Sequence, residues 1–126
     1  MRTCAEITLT RAPEAARRAR RFVDDVCADW SLTALEDDAE TVASELVENT
    51  VRHTACTPRL ALQRLPGGLT VSVSDGDPAR AYVRTGGARG GFGMLLVATT
   101  AAEWGCTPDG KGKTVWARLA TPPPCG

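Results

Sequence analysis

The residues best placed to do chemistry in this chain are Glu45, Asn49 and His53, which stand four apart within the stretch ELVENTVRH at 45–53. On an α-helix a step of four stacks side chains one turn above another. Ala39, Val42, Ala43, Leu46, Val47 and Val51 recur at three- and four-residue steps and make one apolar stripe. Helical geometry puts Glu45 and Asn49 just beside that stripe, and His53 continues their line. A carboxylate, a carboxamide and an imidazole on one seam could face a pocket between this helix and the layer it packs on. Taken alone, the stretch reads more simply as a solvated flank ending in a histidine that the helix macrodipole favours.

Three other pieces have chemistry suited to a nucleotide. Gly91-Phe92-Gly93 at the mouth of a helix offers free backbone N–H groups and a positive dipole end, which suits phosphate. Asp75, at the end of a strand beside Gly76, can accept a hydrogen bond from an exocyclic amine such as adenine N6, or simply belong to an Asp-Gly turn. Gly112-Lys113-Thr114 puts a glycine and a hydroxyl at the start of the last strand. There is no GxxxxGKS/T, which excludes a P-loop, and no strand-GxGxxG-helix with a downstream acid, which excludes a Rossmann fingerprint. Phosphoryl transfer asks for charge neutralisation and positioning more than for covalent chemistry. A cation ligand, a base one turn away, helix N-terminal amides and a covering loop would supply those parts.

The elements that must hold these residues follow from periodicity and punctuation. Residues 3–9 predict a strand. Pro13 opens a helix to about Trp30, with Ala15, Ala19, Phe22, Val23, Val26, Cys27 and Trp30 on one face. Arg17, Arg18, Arg20 and Arg21 fall on its other faces, as a solvated surface or a dock for an acidic partner. After a connector at 31–36, a second helix with carboxylates in its first turn runs to about Thr54, ahead of Pro58. Strands at 59–64 and 69–74 flank a turn at 66–68, and Asp75-Gly76-Asp77-Pro78 closes the second. Residues 79–91 lack periodicity and carry Arg80, Arg84 and Arg89 among glycines, as a functional loop would. A helix then runs from Gly93 to about Ala102, and strands at 104–107 and 113–119 are joined by a Pro108-Asp109-Gly110 turn. The tail at 121–126 is Pro-rich.

At 126 residues this is one domain with one core. Fifteen basic residues balance fifteen acidic ones, so the overall charge gives no reason to expect nucleic acid or an anionic membrane as partner. Five cysteines without a CxxC pair, and no signal peptide, speak against a disulfide framework or a zinc site and for a reducing cytoplasm. No apolar run is long enough to span a bilayer.

In their order and spacing, ExxxN on a helix, Asp-Gly after a strand, GxG-MLLV opening a helix and GKT in a final strand resemble the Bergerat-type (histidine-kinase-like) ATP-binding fold. More narrowly, ELVENTVRH, GFGMLLV, EWG and GKTVWARL resemble the small bacterial anti-sigma-factor serine/threonine kinases, over nearly the whole chain. The resemblance implies an α+β fold, a two-layer α/β sandwich whose mixed, mainly antiparallel sheet has helices on one face. It implies an ATP-binding domain at 1–120, followed by the tail. It implies ATP and Mg²⁺ as cofactors, with Asn49 as the Mg²⁺ ligand and Glu45 as the general base toward a hydroxyl of protein serine or water. Asp75, with Gly76 beside it, would read adenine. Gly91 and Gly93 would let backbone approach the phosphates at the mouth that continues through Met94 and Leu95, Thr114 would bond near the adenine, and His53 would support the phosphate side. Residues 79–91 would be the lid, with Arg84 or Arg89 meeting the γ-phosphate.

The partners so implied are a sigma factor or similar regulator, which the protein would sequester, and an antagonist protein, which it would phosphorylate. A homodimer is implied as well. The chain departs from the usual Asp-x-Gly box at Asp77, where the glycine is expected. A module that holds ATP but acts only by partner binding would keep the same residues. A scaffold with a degenerate site would be consistent with Asp77. A free-standing histidine-kinase domain fits less well, because no phosphoacceptor helix precedes the ATP box.

Overall fold

A computed structural model describes residues 3–76, 93–110 and 112–121. In chain order, strand β1 (Cys4–Thr8) is followed by helices α1 (Ala15–Asp29) and α2 (Glu36–His53), with a 3₁₀ turn at Thr33–Leu35 between them. Strands β2 (Arg59–Leu65) and β3 (Gly68–Asp75), helix α3 (Gly93–Thr100) and strands β4 (Glu103–Asp109) and β5 (Gly112–Ala120) complete it. The five strands form one sheet in the order β1-β2-β3-β5-β4. The α+β sandwich is therefore as expected, but the sheet is not mixed: each described strand pair is antiparallel.

Alternation along the strands sets up the two layers. Leu60, Leu62, Leu69, Val71, Val73, Val115, Ala117 and Leu119 point to one face and are buried. They meet Ala19, Val23 and Cys27 of α1 and Ala39, Val42, Leu46 and Val47 of α2 in one core cluster. Full burial of side chains such as Leu46 and Val42 stabilises the fold by roughly 1.5–3 kcal/mol each. The opposite sheet face is polar. There Ser74 and Thr114 hydroxyls share a 2.8 Å hydrogen bond, and Arg118 Nε donates to Glu103 at 2.8 Å.

Helix α2 carries Glu36, Asp37 and Asp38 in its first turn and Arg52 and His53 in its last, matching the macrodipole at both ends. Its C-terminal carbonyls are held from outside the helix. Arg11 Nη2 donates to the Val51 and Thr54 carbonyl oxygens at 2.7 and 2.9 Å, which fixes the end of α2 relative to the chain entering α1.

Three boundaries differ from expectation. Pro13 and Glu14 form a turn, and α1 starts at Ala15, whose N–H donates to the Ala12 carbonyl. Gly68 belongs to β3, so the β2–β3 turn is Pro66-Gly67, with Gly67 at φ +74°. Pro108 and Asp109 lie inside β4, because β4 is an edge strand and a proline there costs no ladder bond that the sheet needs. No described helix is long and apolar enough to cross a membrane.

Candidate functional site

The best-defined polar cluster lies where the C-terminal half of α2 crosses the end of β3. Asp75 follows Val71 and Val73 in strand alternation, so its carboxylate points into the helix-facing layer rather than into a solvent turn. Its side chain is 0% exposed. Thr50 Oγ1, from the buried stripe of α2, donates to Asp75 Oδ2 at 3.3 Å. Lys113 Nζ donates to Asp75 Oδ1 at 3.2 Å, and its own side chain is only 5% exposed. Both contacts follow from the sequence. Thr50 sits four residues after Leu46, and Lys113 is the register partner of Asp75 in the β3–β5 ladder.

Gly112 enables that pairing. A Cβ there would lie 2.0 Å from the Asp75 carbonyl oxygen and 2.8 Å from Gly76 Cα, so β5 can start beside Asp75 only with glycine at this position. Gly76 has more room: a Cβ on it would stand 3.5 Å from Cys56 Sγ. A cavity of about 450 Å³ opens at this end of the sheet, walled by Thr8, Thr57, Arg59, Ser74, Asp75, Gly76 and Gly112. Thr8, Arg59 and Ser74 are cross-strand neighbours on the polar sheet face, so the cavity opens there and not onto the Asp75 carboxylate.

Glu45 and Asn49 are half-buried on α2, as the seam geometry requires. Ala15 and Ala16 of α1 line a groove with Val47 and Val51, which places α1 on one flank of the buried stripe. Glu45 and Asn49 occupy the other flank, and α3 also packs on α2. Burial pushes the Glu45 carboxyl above its ordinary range, nearby Glu48 adds to the rise, and Arg52 opposes it. A carboxylate with a raised pKa is a better base once ionised. His53 is exposed in the last turn of α2. Gly93 begins α3, Met94 and Val97 are buried beneath it, and Leu95 and Leu96 are its exposed apolar residues.

Thr114 is not with Asp75. It points to the opposite sheet face, bonded to Ser74, and Lys113 takes the position facing the helices. Thr50 and Lys113 were not singled out from sequence. The parity of Val115, Ala117 and Leu119 was the available signal for Lys113, since it makes residue 113 inward and residue 114 outward. Gly91, Asp77, Arg84 and Arg89 lie outside the described residues.

One acidic grouping stands apart from this cluster. Asp24 of α1 and Glu36 and Glu40 of α2 bring carboxylate oxygens within 4.8 Å of one another. Glu36 lies 14 residues before Thr50, about 21 Å along the α2 axis from the Asp75 cluster. The Glu36 carboxyl is pushed up to about 7, first by its hydrogen bond with Asp24, then by desolvation and the neighbouring carboxylates.

A family model described as histidine kinase-like ATPase domain matches residues 9–119. No curated protein matches the chain. Among solved structures, the RsbU and RsbW domains of Rv1364c from Mycobacterium tuberculosis match with a TM-score of 0.71 and 22% identity, over 96% of this chain and 33% of that one. At this identity the likeness shows the fold, and this chain spans about a third of that structure's length.

Proposed function

The chain belongs to the histidine kinase-like ATPase domain family, and from that premise we propose that it is an ATP- and Mg²⁺-binding regulatory protein kinase of anti-sigma-factor type. It would phosphorylate a serine or threonine of an antagonist protein and sequester a transcription regulator. The observation that carries the proposal is the joining of two chemistries on α2: the Glu45–Asn49 flank, and Thr50 docked on the buried Asp75 carboxylate at the end of β3. Helix α2, clamped at its C-terminal end by Arg11, would thus carry the phosphate-side groups and touch the base reader of β3 through Thr50.

The half-buried Asn49 has a side-chain oxygen, the ligand type that Mg²⁺ prefers. Asn49 would hold the ion, which when bound would offset charge on the phosphates. Glu45, one turn away and with its carboxyl raised by burial, would accept the proton of the attacking hydroxyl. The N-terminus of α3 would direct backbone N–H groups toward phosphate. The match of this fold to a structure described as containing RsbU and RsbW domains supports a role among regulatory protein partners.

The test is ATP turnover by the wild-type chain and by Glu45→Ala, with nucleotide binding measured in parallel. The kinase reading expects binding in both proteins and turnover, onto water or a serine, in the wild type alone. Binding in both with turnover in neither would leave an ATP-dependent binding module.

A further inference from the structure

We propose that the cavity at the end of the polar sheet face is an oxyanion site, built around Arg59 and fitted to a phosphoryl group. Strand register sets its donors in one row. Arg59 of β2 stands between Thr8 of β1 and Ser74 of β3, and Ser74 in turn pairs with Thr114 of β5. Alternation turns this row away from the helices, because the sequence neighbours Leu60 and Val73 are the residues buried in the core. Thr57, just before β2, adds another hydroxyl to the wall, and Gly76 and Gly112 add backbone without side chains. The space of about 450 Å³ can hold a phosphoryl group together with what carries it.

The charge inside the cavity points to an anion. Among its described lining residues only Arg59 and Asp75 are ionisable. The Asp75 carboxylate is 0% exposed and bonded to Thr50 and Lys113 on the helix side, so Asp75 contributes only backbone here. The exposed Arg59 guanidinium takes part in no hydrogen bond or ion pair among the described residues. By register Glu6 belongs to the next row, opposite Ala61. Asp109 belongs to β4, opposite Gly112, three strand spacings or about 14 Å across the sheet from Arg59. A guanidinium presents a planar fork of donors that matches two oxygens of a phosphoryl group. Thr8 and Ser74 flank it on the adjacent strands, within reach of the third oxygen, which a carboxylate lacks. Thr114 can donate to Ser74 across their 2.8 Å contact, which leaves the Ser74 proton for the ligand.

The experiment is an NMR titration of the full, nucleotide-free chain at constant ionic strength, with inorganic phosphate, phosphoserine amide and acetate in separate arms. Phosphate is expected to shift the backbone amides of Thr8, Ser74, Gly76 and Gly112 together and saturably, with a Kd on the order of 1 mM. Arg59→Gln is expected to weaken binding by about tenfold or more, and Arg59→Lys, which keeps the charge but loses the fork, by less. Arg59 is exposed and outside the core, so both variants should fold, and a melting curve for each checks it. Tighter binding of phosphoserine amide than of phosphate would assign the site to a phosphorylated side chain, and the reverse order to the free ion; both support a phosphoryl site. Acetate binding as tight as phosphate would overturn the proposal, as would shifts that never saturate or that survive Arg59→Gln unchanged. No nucleotide enters the titration, so its failure leaves the ATP-binding reading untouched, and failure of ATP binding leaves this site standing.

Discussion

Replacing Lys113 by methionine isolates what the buried pair contributes to stability. The substitution keeps an unbranched chain of similar size and removes the ammonium, leaving Asp75 0% exposed beside Thr50. Breaking a buried pair from one side costs about 3–5 kcal/mol, because the remaining charge has lost its counter-charge and cannot reach water. Total stability of a domain this size is on the order of 5–15 kcal/mol, so the loss is a third or more of it in most of that range. Urea denaturation at constant pH would show a midpoint drop of roughly 1–5 M for a slope of about 1–3 kcal/mol/M. Adding Asp75→Leu should recover most of the loss, since a well-packed apolar replacement of the whole pair is often neutral. The double-mutant cycle would then give a coupling of a few kcal/mol. Single variants within about 0.5 kcal/mol of wild type, with no coupling in the cycle, would refute a close, buried Asp75–Lys113 contact.

Gly112→Ala should lose about 1–3 kcal/mol by thermal melting, because its Cβ would fall 2.0 Å from the Asp75 carbonyl oxygen and β5 must shift; an unchanged melt would count against this strand register. Glu45→Gln should abolish turnover, and the acid limb of the wild-type rate should lie above the ordinary carboxylate range, since burial raises the Glu45 carboxyl and a general base must be ionised; a limb at an unshifted position would remove Glu45 from that role. Glu36 has its carboxyl raised to about 7 in the folded chain, so the fold binds protons that the unfolded chain releases. Its contribution is complete below the unfolded carboxylate pKa and is lost as pH rises toward about 7. Glu36→Gln should therefore flatten the decline in melting temperature across that window, and an identical decline in the variant would refute the raised Glu36 carboxyl.

Much of the architecture was legible because periodicity is a direct consequence of burying one face. The α2 stripe is fully buried from Ala39 through Val42, Ala43, Leu46 and Val47 and half-buried at Val51, and the alternation that predicts a strand at 69–74 is the same alternation that turns Asp75 inward. Composition could not distinguish mixed from antiparallel pairing, which depends on how strands meet after the chain folds. Pro108 signalled a turn because its rigid ring and missing N–H suit one, yet an edge strand has an unpaired side where that absence is harmless. Thr114 drew attention as a hydroxyl after Gly112 and Lys113. Strand parity, set by Val115, Ala117 and Leu119, sends it to the polar face and brings Lys113 to Asp75. Thr50 escaped notice for a related reason: one hydroxyl within an apolar stripe looks like a tolerated interruption until the strand end beneath it supplies a carboxylate.

ATP binding in the presence and absence of Mg²⁺, measured by calorimetry on the wild type and on Asn49→Ala, tests the central claim most directly. The account predicts Mg²⁺-dependent binding by the wild type that Asn49→Ala loses or weakens by tenfold or more, about 1.4 kcal/mol. Absence of ATP binding under both conditions, or binding indifferent to Mg²⁺ and to Asn49, would contradict it.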